Sequence, residues 1–225
     1  MSISVIIPTY NEAGYIAETI EKISANSVQE ILVVDGGSGD KTLSKARTAG
    51  AKTLKCPQKG RAVQMNYGAR HARGKILYFL HADTHPPSRF ATCINRAIAD
   101  GYDAGCFQLS FDDDHFLLQF YSWFTRFDID AFRFGDQSLF VDRNVFSDLR
   151  GFQEDHMMME GQDMVRRIKN SYSFVLLDDT VTTSARKYRR QGIVKLQLVF
   201  FLIFCLHYLG ISQQNLVYIY NGLLY

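Results

Sequence analysis

The sequence is poor in the features that mark several classes of protein. It has only 4 cysteines in 225 residues, with no Cys-x-x-Cys pair, which argues against a disulfide scaffold or a zinc cluster and favours reduced thiols. Its longest apolar run, Leu198–Leu206, is far shorter than the about 20 residues of a membrane-spanning helix. It also lacks a Gly-x-Gly-x-x-Gly fingerprint and a Walker lysine motif, so neither a dinucleotide-binding domain nor a P-loop enzyme is expected.

Acidic residues are missing from one end of the chain. All 23 Asp and Glu lie before Thr180, whereas 5 of the 25 Lys and Arg follow it. The net charge of +2 therefore combines −3 for 1–179 with +5 for 180–225. The overall balance predicts no nucleic-acid partner. The basic end runs into an apolar stretch, which predicts either an interfacial helix on an anionic membrane or a homodimer contact through 186–211.

Short β-branched runs alternate with helical patterns over the first 81 residues. The predicted strands are Ile3–Pro8, Glu30–Asp35, Ala51–Cys56 and Lys75–His81. Such alternation is typical of βαβ units and a mostly parallel sheet flanked by helices. The sequence therefore predicts an α/β domain.

Beyond residue 100 the pattern is less regular. We expect strands at 102–111, 138–142 and 172–178, helices at 116–127 and 160–169, and a helical segment at 193–222. The aromatic residues of 116–127 recur at helical spacing, which favours a core-facing helix over a platform for sugar stacking. No linker interrupts the chain, so we predict one domain over 1–190 and a helical C-terminal extension over 191–225.

Polar loops that contain acids follow three of the predicted strands, at 9–12, 35–40 and 81–84. In parallel sheets the ligand site lies at the carboxyl ends of the strands. Asp35 could contact a nucleotide or stabilise its own turn beside two glycines. Asp83, between His81 and His85, could bind Mg²⁺ or Mn²⁺, or could cap the helix after Pro86-Pro87. The residues alone leave both pairs of alternatives open.

Four motifs in order resemble the inverting family 2 glycosyltransferases, which have the GT-A (nucleotide-diphospho-sugar transferase) fold. They are Ser4–Glu12, Ile31–Thr42, Gly60–Ala69 and Leu80–Thr84. Later segments, Phe134–Gln137 and Glu160–Ile168, are similar to the acceptor and catalytic segments of the family, so the resemblance covers roughly 2–190. The strings Gly-Arg-Ala-Val-Gln-Met-Asn and Leu-His-Ala-Asp-Thr are similar to the radical-SAM/selenodomain-associated transferase subgroup.

The resemblance implies transfer of a sugar from a nucleotide-diphosphate sugar to an acceptor hydroxyl, with inversion and with Mg²⁺ or Mn²⁺ as cofactor. It implies a set of donor-binding residues: Thr9, Glu12, Asp35, Arg61 and His81. The metal is expected on Asp83, with His81 standing where the family has a further acid. Asp136 and Gln137 are expected on the acceptor side.

The expected catalytic base lies in Glu160-Gly-Gln-Asp163. The family has Glu-Asp-x-Asp-Leu here, and Gly161 replaces its second acid. Glu160 and Asp163 lie three residues apart and share one side of a helix, where the helix dipole favours their ionised form. The resemblance favours Asp163 over Glu160 as the base, and the alternative is structural pairing with Arg166 or Arg167.

Two other functional classes stay open at this point, a nucleotidyltransferase of similar architecture and a non-catalytic, membrane-associated protein that binds nucleotide sugars. The N-terminus has no signal-peptide pattern, so we expect a cytoplasmic protein. The alternative localisation is peripheral, at the inner face of the membrane. A lipid-linked acceptor would agree with the peripheral localisation.

Overall fold

The computed structural model describes residues 1–129 and 137–224. Eight strands in this part of the chain form one sheet in the order β3-β2-β1-β4-β7-β6-β8-β5. The strands are β1 (Ile3–Thr9), β2 (Glu30–Asp35), β3 (Lys52–Lys55), β4 (Ile76–Phe79), β5 (Thr84–His85), β6 (Ala104–Phe111), β7 (Phe140–Asp142) and β8 (Phe174–Thr183). Four of the pairings are parallel and three are antiparallel, which confirms the predicted mostly parallel α/β sheet.

The helices flank this sheet and continue past it. They are α1 (Ile16–Ser24), α2 (Thr42–Thr48), α3 (Arg61–His71), α4 (Phe90–Ala99), α5 (Phe116–Trp123), α6 (Arg143–Asp148), α7 (Glu160–Ser171), α8 (Arg186–Gln191), α9 (Ile193–Tyr208) and α10 (Gln213–Leu224). A single 3₁₀ turn, Phe124–Arg126, follows α5.

Both faces of the sheet are covered, as the apolar run of β1 requires. Side chains alternate across a strand, and Val5 packs with α1 and α4 on one face while Ile6 packs with α3 and α7 on the other. Helix α3 lies close to the sheet because it carries Gly68, where a Cβ would stand 2.5 Å from Ile6 Cγ2 and 2.9 Å from Val34 Cγ2. This close approach fixes the start of α3 beside the ends of β1 and β2.

The aromatic residues of 116–127 do not face the core, so that prediction is wrong. Phe116, Phe120, Trp123 and Phe127 are 71%, 52%, 46% and 41% exposed, and in α5 only Leu118 is buried. Helical spacing identifies which residues share a face but not which face turns to the sheet. The rings instead pack on one another, with Trp123 and Phe127 centroids 4.8 Å apart.

The predicted helical segment at 193–222 consists of two helices, α9 and α10, and the short helix α8 precedes it. Gly192 and Gly210, with φ of 86° and 81°, separate α8 from α9 and α9 from α10. Helices α9 and α10 bury a small apolar cluster of their own: Leu196, Val199, Ile203, Leu216, Tyr220 and Leu224. Within the described ranges, no helix combines the length and apolar character needed to cross a membrane. We call α8–α10 the tail.

Candidate functional site

The carboxyl ends of β1 and β2 are held together by one buried amide. Gln64 on α3 donates from Nε2 to the carbonyl oxygens of Thr9, at 2.8 Å, and Val34, at 2.7 Å. Gly36 packs closely against this amide: a Cβ at Gly36 would stand 3.0 Å from the Gln64 side chain. Sequence reasoning did not single out Gln64, since its partners lie 55 and 30 residues away.

Asp35 stabilises the loop that follows β2. Its Oδ2 accepts hydrogen bonds from the backbone N–H groups of Gly37 and Ser38, both at 3.0 Å, and the Ser38 hydroxyl donates to Oδ1. Asn11, in the loop after β1, accepts from Gly39 N–H at 2.9 Å. The loops after β1 and β2 are therefore hydrogen-bonded to each other, and we call the edge that they form the rim. Asp35 stabilises its own turn, which is the alternative that the neighbouring glycines favoured.

A pocket of about 330 Å³ opens at this rim, lined by Tyr10, Gly36, Lys59, Gly60 and Gln64. The Lys59 ammonium lies 5.5 Å from the centroid of the Tyr10 ring. A polar floor, an aromatic ring and a cation suit a planar, anionic ligand.

Glu12 and Asp83 meet at one guanidinium. Arg186 Nη2 lies 2.7 Å from Glu12 Oε1 and 3.0 Å from Asp83 Oδ2, and both carboxylate side chains are only 17% exposed. Burial by itself would lower the pKa of Arg186, but the Glu12 hydrogen bond and the charge of Asp83 raise it overall. Two predicted site acids thus converge, through a residue that the sequence placed only in the basic tail.

Glu160 opens helix α7 and points toward α3. Its side chain is 5% exposed, and its Oε1 accepts from Arg61 Nη1 at 3.0 Å. The preceding Met159 has φ of 65°, a left-handed conformation that is uncommon for a bulky residue. The structure therefore brings together a predicted donor-binding residue and a candidate base.

Asp163, one turn later, is engaged on both oxygens. Oδ1 lies 3.2 Å from Arg166 Nη2 and Oδ2 lies 2.8 Å from Arg167 Nε. Arg167 also donates to the carbonyl oxygens of Leu149 and Gly151, each at 2.8 Å. Asp163 thereby anchors α7 to the loop after α6, which is the structural pairing that the sequence left as an alternative.

The remaining predicted residues are placed less directly. Thr9 is 2% exposed and its hydroxyl donates to Val34 O at 3.4 Å, whereas His81 is half-buried after β4. Gln137 is buried and donates from Nε2 to Phe107 O at 3.2 Å. Asp136 lies outside the described residues. Helix α4 begins at Phe90 after Arg89, so the alternative of Asp83 as its cap is wrong.

The family model for glycosyl transferase family 2 matches residues 4–156, more than half of the chain. This chain belongs to glycosyl transferase family 2. A family relative, the dolichol-phosphate mannosyltransferase of Pyrococcus furiosus, is 33% identical over 112 residues, which are 46% of this chain and 32% of that protein. The match thus spans about a third of that relative's length.

Solved structures confirm the GT-A-type fold. S. aureus TarS 1-349 in complex with UDP superposes with a TM-score of 0.68 at 19% identity, covering 82% of this chain and 60% of that one. The mannosyltransferase PcManGT from Pyrobaculum calidifontis, in complex with GDP-Man and Mn²⁺, gives 0.62 at 22% identity, covering 85% and 61%. Identities this low show the fold alone.

Whether this family 2 chain can hold a divalent cation depends on Glu12 and Asp83. No three His, Cys, Asp or Glu side chains in residues 1–129 and 137–224 are grouped to hold one. Mg²⁺ sites often need only one or two carboxylates when substrate phosphates complete the shell. Glu12 Oε2 is buried and makes no hydrogen bond with the described residues. The pair therefore fits a cation that arrives with a diphosphate.

Proposed function

We propose that this chain transfers a sugar, with inversion, from a nucleotide-diphosphate sugar to an acceptor hydroxyl. The observation that supports this most is the convergence of the loops after β1, β2 and β3 around one pocket, in a chain of family 2. In parallel sheets such a convergence forms the ligand crevice. The two similar motif strings lead us to propose the radical-SAM/selenodomain-associated subgroup within the family.

The donor is proposed to bind with its nucleoside in the pocket over Gln64 and its diphosphate toward Asp83. The proposed donor-binding residues lie at this edge of the sheet: Thr9 and Asp35 end β1 and β2, Glu12 and His81 follow β1 and β4, and Arg61 opens α3. Asp35 retains acceptor capacity for a nucleoside hydroxyl or N–H, because a carboxylate has about four lone-pair positions. Mg²⁺ or Mn²⁺ held by Asp83 and Glu12 would offset the charge of the leaving diphosphate.

A carboxylate at the start of α7 is proposed to remove the proton from the acceptor hydroxyl. The contacts support Glu160 more than Asp163, because both Asp163 oxygens already accept from arginines. Glu160 Oε1 accepts from Arg61 Nη1 at 3.0 Å, so this carboxylate lies beside a proposed donor-binding residue. Direct attack from the face opposite the leaving group would invert the anomeric centre. Asp136 and Gln137 stay proposed acceptor-side residues.

The base assignment is tested by comparing Glu160→Gln with Asp163→Asn. We expect Glu160→Gln to lower kcat by about 10²–10⁴-fold while a nucleotide sugar still raises the melting temperature. Asp163→Asn is expected to lower the free energy of unfolding, on the order of 3 kcal/mol, because Arg167 loses a partly buried partner. Lost turnover in a folded Asp163→Asn protein, with activity kept in Glu160→Gln, would assign the base to Asp163.

The donor is identified by thermal stabilisation with a panel of nucleotide sugars, with and without Mn²⁺, since a ligand that binds only the folded chain stabilises it more the further its concentration exceeds its Kd. Asp83→Ala should abolish the Mn²⁺-dependent part of that shift. Product analysis separates the functional classes. Nucleoside diphosphate release supports the glycosyltransferase, pyrophosphate release a nucleotidyltransferase, and absence of any product from every donor a binding protein.

The tail is proposed to hold the protein at an anionic membrane surface, where a lipid-linked acceptor would be presented. One stripe of α9 is apolar and exposed, with Val194, Leu198, Phe201 and Tyr208 each more than half exposed. Exposed Lys187, Arg190 and Lys195 accompany it, and no acid lies in 180–225 to repel anionic lipid.

Sedimentation with vesicles of phosphatidylcholine, with or without phosphatidylglycerol, tests the tail. We expect binding only when phosphatidylglycerol is present, and loss of that binding in Leu198→Glu/Phe201→Glu. Phe116→Glu changes an equally exposed aromatic residue outside the tail and serves as the control. A dimer in light scattering that the double variant dissociates, without vesicle binding, would show that a second copy covers α9 instead.

A further inference from the structure

Arg186 stands where the proposed function needs a divalent cation. Its Nη2 contacts Asp83 Oδ2 at 3.0 Å and Glu12 Oε1 at 2.7 Å. These are the two carboxylates that fit a cation, and one nitrogen lies within reach of both. The guanidinium therefore already supplies positive charge between them.

The fold holds Arg186 in this position from several sides. Strand β5 pairs antiparallel with the end of β8, Thr84 opposite Thr183, and Ser184 N–H donates to the Asp83 carbonyl at 3.1 Å. This ladder brings the first residue of α8 beside the Asp83 loop. The guanidinium also lies 4.5 Å from the centroid of the Tyr15 ring, which favours a cation at its face.

A cation bound to Asp83 would meet this guanidinium directly. The Arg186 guanidinium and a metal ion would compete for the negative charge of the Asp83 carboxylate, which lies 3.0 Å from Nη2 in an ion pair. A +2 ion within about 4 Å of a +1 group is repelled, and this repulsion is stronger in a partly buried site than in water. The carboxylate pair carries −2, so Arg186 leaves a net charge of −1 to attract the ion. The guanidinium lowers the affinity for a cation unless it moves.

We propose that Arg186 competes with the divalent cation for Asp83, so that cation binding requires the Arg186–Asp83 ion pair to break. This inference rests on the proposed function, which places the cation at Asp83. It assigns to Arg186 a positioning role that the site motifs do not include. The side chain sets how tightly the cation binds before any donor is present.

Mn²⁺ binding to the full chain without nucleotide tests this competition, with free Mn²⁺ measured by electron paramagnetic resonance. We expect Arg186→Gln to bind Mn²⁺ about tenfold more tightly than the unmodified chain, the change that loss of one charge-assisted hydrogen bond produces. Arg189→Gln is the matched control. It removes an arginine of the same helix that pairs with Asp112 and Asp113 instead, so its affinity should stay unchanged.

Two further variants exclude an indirect effect. The double variant Asp83→Asn/Arg186→Gln should not show the tighter Mn²⁺ binding of Arg186→Gln, because that increase in affinity depends on the Asp83 carboxylate. Arg186→Lys retains a positive charge and should bind Mn²⁺ more weakly than Arg186→Gln. Unchanged or weaker Mn²⁺ binding in Arg186→Gln would overturn the proposal, as would equal gains in the Lys and Gln variants.

The result is independent of sugar transfer. No donor, acceptor or turnover enters the measurement, so a chain that failed to transfer any sugar would still give a tighter Arg186→Gln complex if the competition is real. Conversely, active transfer together with unchanged Mn²⁺ binding in Arg186→Gln would leave the proposed function intact and remove only this inference.

Discussion

The pocket end of the sheet and the tail are built in opposite ways. At the pocket end, the acids are largely buried and have named partners: Asp35 and Glu12 accept hydrogen bonds, and Asp83 forms an ion pair with Arg186. The tail contains no acids, and much of its apolar surface faces outward, including Phe201 at 64% exposed. Buried polar groups demand fixed partners, whereas exposed apolar groups indicate a surface still to be covered. The contrast agrees with the proposals that the first region binds a small ligand and that the second forms an interface.

The largest expected difference follows from removing one phenyl ring from the core of the sheet and one from the tail. Phe107 is fully buried and packs edge-on against Tyr78 and Phe140, with centroids 6.1 and 6.3 Å away. Phe107→Ala should lower the free energy of unfolding by about 3–5 kcal/mol, because a cavity remains. Phe201→Ala should change it by less than about 0.5 kcal/mol. Urea unfolding of both variants measures this, and equal losses would contradict the contrast.

Two helical glycines give a second, smaller contrast. Gly68→Ala forces a methyl group against Ile6 and Val34, so we expect a loss of about 1–3 kcal/mol in the free energy of unfolding. Gly222→Ala on α10 meets nothing within 4 Å and should raise it by up to about 1 kcal/mol through helix propensity. Thermal and urea unfolding measure the loss of stability in Gly68→Ala and the gain in Gly222→Ala. A stabilised Gly68→Ala protein would show that α3 can move away from the sheet.

The smallest effect concerns the pH dependence of the tail. Burial lowers the pKa of His207 from 6.5, and the neighbouring His156 and Arg166 lower it further. The unfolded chain then binds more protons than the folded chain below about pH 6.5, so folding stability falls as pH falls through this range. His207→Gln should reduce that loss by up to about 2 °C in melting temperature between pH 7 and 5.5.

His71→Gln, an exposed position on α3, is the control for this titration. Its melting temperature should follow that of the unmodified chain across the same pH range. A pH dependence that His207→Gln leaves unchanged would show that the α9 histidine contributes nothing to it.

The N-terminal half of the fold was predictable because its signals are local. The first two strands are short apolar runs, ended near Pro8 and by the glycines after Asp35, and their predicted boundaries agree with the structure within a few residues. Strand β8 continues to Thr183, beyond the predicted 178, because its second half pairs with β5 and the end of β6. Pairing with distant strands, rather than local pattern, sets that boundary.

The candidate site was predictable in its acids but not in their partners. Loop positions after strands indicated Glu12 and Asp83 because parallel strands bring their carboxyl ends to one edge. Arg186 was not predicted as a site residue, because it lies 174 residues from Glu12. It also belongs to a basic run that is typical of an exposed surface. The orientation of α9 was also not predictable, because a helix that is apolar on every side has no periodicity to identify its buried face.

Arg186 also has a consequence for the whole chain through the helix to which it belongs. Helix α8 begins at the site carboxylates and leads through Gly192 into α9. If release of Arg186 shifts α8, cation binding at Asp83 and binding of the tail to its surface are coupled through this helix. Each binding event then changes the affinity of the other by the same factor. A lipid surface could then act as an effector that changes the cation affinity of the proposed site from a distance.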